Sequence, residues 1–202
     1  MSRVIANSFR HTGASADGIT LDSSGNVTFP ANVTCSGTAT GMGGGKILQV
    51  VQVVKTSKQS VQSQTMVDIT GFELTITPSS ASSKILLITT ITACCHGSGV
   101  LNLWRQIGSG SYAQLDTFKG DADGNRLRAT MHMGQTQTAN TAERSMTVLD
   151  TPNTTDAVKY KWQTGTPYHA NYVIVVNSSE DDSNNNYYSR TISTMTAMEV
   201  SA

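Results

Sequence analysis

Apolar residues recur at every second position along most of this chain, a period that belongs to strands and not to helices. The cleanest run sets Val158, Tyr160 and Trp162 against Lys159, Lys161 and Gln163, one face for a core and one for water. Three runs, 47–54, 85–94 and 172–176, are apolar at both parities and must be covered on both faces. In the first of them Leu48, Val50 and Val54 face one way and Ile47, Val51 and Val53 the other. Val67 and Ile69 share a parity that Phe72, Leu74 and Ile76 do not, so a bulge or tight turn is expected at Gly71. Polar, Gly-rich turns separate 100–107 from 112–118, 126–133 from 142–149, and 172–176 from 188–200. The total is about ten strands, near the limit of one open sheet, which predicts two packed sheets. The expected fold is all-β, an antiparallel β-sandwich of jelly-roll type.

The first 45 residues are different. Ile19-Thr20-Leu21 and Asn26-Val27-Thr28-Phe29 flank the turn composition Asp22-Ser23-Ser24-Gly25, but the pieces are too short for a core of their own. Gly43 to Gly45 read as a hinge. The predicted division is therefore an extended N-terminal arm over 1–45, ordered by a partner, and a sandwich over 46–202.

Composition narrows the function classes. Lys plus Arg and Asp plus Glu number 14 each, so no basic excess is present to hold phosphates or anionic lipid, and no nucleic-acid partner is expected. The opening residues lack the apolar stretch of a secretory leader and no window reaches membrane-spanning length, so neither ordinary secretion nor membrane insertion is expected. Cys35, Cys94 and Cys95 give no disulfide framework. Adjacent cysteines on a strand point to opposite faces, so Cys94-Cys95-His96 reads as packing. His11, His96, His132 and His169 are scattered without metal-ligand spacing, and Asp121-Ala122-Asp123-Gly124-Asn125 departs from a calcium loop. No catalytic residue, metal or cofactor is expected, and Glu180-Asp181-Asp182 reads as a solvated loop.

Four segments, GGKILQVVQVVKT, VDITGFELTITPSSASSKILL, LDTPNTTDAVKYKWQ and TISTMTAMEV, resemble virion structural proteins of marine tailed bacteriophages, the cyanophage-like tail fibre group. The resemblance implies a short N-terminal attachment segment, a β-rich displayed domain, threefold assembly and residence in the virion after synthesis in the host cytoplasm. It also implies a virion partner for the arm. A capsid decoration or head-fibre protein is the alternative, and a polysaccharide depolymerase a remote one that needs a carboxylate pair the strands do not offer.

Sugar rings stack on aromatic faces, and Asn, Asp and His bind their hydroxyls. Tyr168, His169, Tyr187 and Tyr188 stand in or beside polar loops and are the candidate residues for a host surface glycan. Tyr160, Trp162 and Trp104 fall on strands and are assigned to the core.

Overall fold

The computed structural model describes residues 6–30, 46–136 and 138–201. The chain divides into two compact units, Met1–Gly43 and Gly44–Ala202. In the first, β1 (Ser8–Phe9), β2 (Ile19–Leu21) and β3 (Val27–Thr28) form a three-stranded antiparallel sheet. Asp22 makes the predicted turn between β2 and β3, its Oδ1 accepting the N–H groups of Ser24 and Asn26 at 2.9 Å each. Gly25 supplies the left-handed residue at φ 83°. Phe9, Val27 and Phe29 are all exposed, as expected of pieces too short to bury anything. The hinge at Gly43 to Gly45 and Cys35 lie outside the described residues.

The second unit is an antiparallel β-sandwich. Its strands are β4 (Ile47–Lys55), β5 (Gln59–Val61), β6 (Val67–Ile76), β7 (Lys84–His96), β8 (Gly99–Ile107) and β9 (Ala113–Gln114). They continue with β10 (Met131–Met133), β11 (Ala142–Asp150), β12 (Val158–Gly165), β13 (Val173–Val176) and β14 (Ser193–Val200). One sheet has the order β10-β8-β12-β6, with β9 beside β8; the other has β4-β14-β7-β13-β5, with β11 beside β7. Register shows that β13 and β14 are one line interrupted: Val176 faces Ala93 of β7 and Thr194 faces Thr90. Likewise β4 and β5 form one broken edge, Lys55 facing Ser193 and Gln59 facing Val176. With those breaks joined, the long strands in chain order are β4/β5, β6, β7, β8, β10, β11, β12 and β13/β14. One sheet then runs first-eighth-third-sixth and the other second-seventh-fourth-fifth. That is the strand order of an eight-stranded jelly roll.

Between the sheets, Phe72, Leu74, Leu101, Leu103, Tyr160 and Trp162 meet Ile85, Leu87, Ile91, Ile174, Met195 and Ala197 in one core. The predicted parity switch in β6 is a bulge. Lys161 faces Glu73 and Gln163 faces Asp68, so Trp162 stands opposite residues 69–72, and Gly71 takes φ 72°. Ile69 and Phe72 are thereby both buried, whereas Val67 is exposed and not inward. The bulge leaves backbone groups that other strands satisfy: Gln59 Oε1 accepts Thr70 N–H at 2.8 Å, and Lys55 Nζ donates to Thr70 O at 2.8 Å. Lys55 is buried with Ser57 Oγ as its other acceptor, and burial lowers its pKa.

The breaks in the strands meet at Asn177, which is buried and left-handed at φ 61°, a region Asn tolerates. Its N–H donates to Thr92 O at 2.8 Å and its Nδ2 to Lys55 O at 2.8 Å and Ser57 O at 3.3 Å. Ser193 Oγ donates to its Oδ1 at 2.6 Å, and Thr92 N–H donates to Ser193 Oγ at 3.2 Å. The Asn177 backbone N–H and the Ser193 hydroxyl thus satisfy Thr92 of β7 at the break.

A second buried group ties sheet to sheet. Arg105 on β8 donates to both oxygens of Asp150 on β11 at 2.8 Å, and Tyr160 Oη on β12 donates to Asp150 at 2.6 Å. Burial, with the carboxylate beside it, pushes the Tyr160 phenol up.

The outer face of the β4–β14–β7–β11 half is open and apolar. Val50 faces Met198, Met198 faces Leu86, and Leu86 faces Leu149, so four apolar side chains line up across four strands. Val50 is 56% exposed and Leu149 46%; Leu48, Val54 and Ile88 are exposed around them. The other end of the same face is closed. Cys94, on the outer side, is buried where Thr136 Oγ1 donates to its Sγ at 3.2 Å, and Val175 is buried too. Cys95 lies in the core as the alternation requires, and burial lifts its thiol to about 11. The doubly apolar run 172–176 is therefore covered within the chain, and the run 47–54 is not.

Several strands are shorter than the pattern predicts. In the 112–118 stretch only Ala113–Gln114 pairs, followed by a 3-10 turn at Asp116–Phe118; of 126–133 only Met131–Met133 is strand, and 188–192 is loop. Trp104 is half-buried on the outer face of the five-stranded sheet, opposite Gln114, and not in the core. Among the described residues no helix is long and apolar enough to cross a membrane.

Glu199 provides a pH test of this packing. It is buried on β14; burial alone would raise its pKa, but Ser79 N–H and Oγ (2.7 and 2.6 Å) and Gln49 Nε2 (2.6 Å) bond the carboxylate and hold it at about 2, below the ordinary 4.5. A lowered folded pKa contributes stability that is fully present above the unfolded value and lost as pH falls through the folded one. Urea midpoints measured from pH 7 to pH 2 are expected to fall between about 4.5 and 2 more steeply for the wild type than for Glu199→Gln, which starts lower at pH 7.

Candidate functional site

The loop from Gly165 to Val173 is fixed at its base and presents rings at its tip. Thr166, buried, donates its N–H to Ser63 O at 2.7 Å, and its hydroxyl lies within reach of the Ser63 and Tyr172 carbonyls at 3.2 and 3.1 Å. His169 stacks on Tyr172 with centroids 5.0 Å apart, and Tyr172 lies 6.4 Å from the ring of His96. Tyr172 packs onto the β7–β8 turn at Gly97, where a Cβ would sit 2.4 Å from the ring and φ is 97°. Tyr168, 48% exposed, meets His132 edge-on at 6.3 Å, and His132 Nε2 is 2.6 Å from Ser98 Oγ.

The other two sequence-predicted residues stand on the long loop between β13 and β14. Tyr187 is 71% exposed and meets Tyr188 edge-on at 5.5 Å. Tyr188 Oη donates to Asp181 at 2.8 Å, which raises the phenol and, after the bond from Ser183, helps hold the Asp181 carboxyl down. Asp182 pairs with Lys58 at 2.8 Å and Arg190 at 2.6 Å, and the Lys58 bond leads the causes that lower its pKa. Asp181 and Asp182 thus brace a loop whose residues 182–187 are exposed, as expected of a solvated stretch. Glu180 lies 3.6 Å from His96, so His96 joins the two loops.

Beside Pro167 a cleft of about 650 Å³ opens on the outer face of the five-stranded sheet. Val100 and Asn102 of β8 form its floor; the Gln64 to Met66 turn, Gln114 and the 119–128 loop form its walls. Lys119, Arg126 and Arg128 line it. Lys119 pairs with Asp116 at 2.7 Å and Arg126 with Asp123. Arg128 Nε donates to Gly120 O at 2.7 Å. His132, the partner of Val100 across the ladder, meets the ring of Tyr168, the residue after Pro167.

Among the described residues no group of three His, Cys, Asp or Glu is placed to hold a metal ion. The arrangement offers stacking faces, amides and cations, which is binding chemistry. Tyr168 and His169 stand on a loop, where the sequence puts them, but the sequence leaves the histidines scattered. The strand pairing gathers His96, His132 and His169 around one loop, and no spacing along the chain signals it.

No protein-family model matches the chain, and no curated protein matches it. Among solved structures, the chain is similar to that of the infectious bursal disease virus Gt strain, with TM-score 0.40 and 12% identity over 91% of this chain and 48% of that one. For the Gx strain the values are 0.38 and 11% over 86% and 48%. For the VP2 subviral particle of the same virus they are 0.35 and 12% over 83% and 44%. The chain therefore spans about half the length of the chains it matches.

The close seat of Tyr172 is testable. Gly97→Ala is expected to push the Tyr172 ring off the turn, removing its ring-current effect on the His96 and His169 proton shifts and lowering Tm by several degrees. Unchanged histidine shifts would mean that the ring is not held there.

Proposed function

We propose that this chain is a structural component of a virus particle, a tail fibre or similar displayed fibre that contacts the host surface. The N-terminal unit joins another virion protein, the jelly roll is held outward, and three copies associate. Several features support this reading. The four quoted segments resemble phage virion proteins; jelly rolls serve in viral capsid and lectin domains; and the loops offer aromatic and amide groups of the kind that bind glycans.

The observation that carries it is the open apolar row Val50, Met198, Leu86 and Leu149. Such a face is costly to leave in water, and an interface of about 800 Å² per partner gains about 25 cal/mol per Å² of apolar area removed from water. Its centre carries Thr196, Thr147 and Gln52 beside Ile88, with no charge to desolvate.

Light scattering at micromolar concentration is expected to give three times the chain mass. Leu86→Asp and Leu149→Asp, each checked for an unchanged β-sheet circular dichroism spectrum, are expected to give the single-chain mass. A wild-type monomer would contradict the assembly and turn the face toward a different virion protein, as in a capsid decoration.

A further inference from the structure

We propose that the cleft beside Pro167 binds a carboxylated saccharide, a pyranose chain bearing uronic or similar acid groups; this rests on the attachment reading above. The cleft, about 650 Å³, falls within the range of about 300–1,000 Å³ usual for ligand sites.

The side chains that line it include three cations and no carboxylate; Lys119 and Arg126 are paired with Asp116 and Asp123 beside the cleft, and Arg128 is not held by a carboxylate. Arg128 is held by neutral acceptors, Gly120 O at 2.7 Å and Asp116 O at 3.4 Å. Its guanidinium is therefore oriented before any ligand arrives, and its planar fork matches a carboxylate. Arg126 bonds Asp123 in an exposed turn, where an ion pair contributes little and can be exchanged for a ligand carboxylate.

The rest of the lining suits sugar. Gln64, Gln114 and Asn125 supply donors and acceptors for hydroxyls. Asn102 is anchored, its Oδ1 accepting Thr130 N–H at 3.0 Å. Leu127, 49% exposed, gives an apolar patch for the C–H face of a ring, with Pro167 also in the lining. A polyphosphate chain would need a longer basic track than three cations in one cleft.

The test immobilises a short oligogalacturonate, its methyl-esterified form and a panel of neutral and acidic bacterial surface polysaccharides, and measures binding of the full chain by surface plasmon resonance. The variant is Arg126→Gln/Arg128→Gln, checked for an unchanged melting curve. Expected is binding of the oligogalacturonate and the acidic polysaccharides, weaker by about ten-fold for the methyl ester and for the double variant, and weakened by added salt. Binding that ignores the double variant, or that does not prefer the acid forms, would overturn the cleft and leave the attachment reading standing. No binding to any member of the panel would overturn both.

Discussion

A single buried amide holds the jelly roll in register. Asn177 sits where two long strands are broken, and its side chain and backbone bond to Thr92 of the central strand, to Lys55 and Ser57 at the break in the edge strand, and to Ser193 where β14 begins. Lys55 then carries the link to the other sheet through the Thr70 carbonyl of the β6 bulge. Each buried group left unpaired there costs about 1–3 kcal/mol, so the breaks persist because all of them are bonded.

What the knot permits is a division of labour between the faces and one end of the sandwich. The 177–192 loop can leave the sheet and return without disturbing β7, and its own frame is the set of ion pairs and hydrogen bonds around Asp181 and Asp182. Thr136 and Thr138 close on Cys94 at one end of the outer face, and the Leu86 end stays bare. On the opposite sheet the outer face is laced with polar contacts, Lys161 to Asp68 at 2.8 Å and Gln163 to the same carboxylate at 2.7 Å. One outer face therefore suits burial against a partner and the other suits water and solutes.

Much of this was legible in the chain because strand alternation is a local signal. Val158, Tyr160 and Trp162 fell inward, the bulge fell at Gly71, and Cys94 and Cys95 took opposite faces, each from parity alone. The doubly apolar runs were legible only in part: parity says that a second face is apolar, but whether it is covered depends on which loop crosses it. That is why 172–176 proved covered and 47–54 open. Non-local pairing hid the rest. The gathering of His96, His132 and His169 depends on strand neighbours far apart in sequence, and the cleft is built from the turn at Gln64, strand β8 and the 119–128 loop, with no periodicity to announce it. That Tyr168 stands exposed on a loop was legible from its polar neighbours, because a loop ring has no core to enter.

The direct test of the shared constraint is native-state hydrogen exchange on Asn177→Ala. If one knot holds both broken strands, amides of β4, β5, β13 and β14 should exchange faster together, by about 10- to 100-fold, with the exposed turn at Gly124 unaffected. Faster exchange confined to residues 176–178, with Lys55 and Ser193 protected as in the wild type, would contradict it.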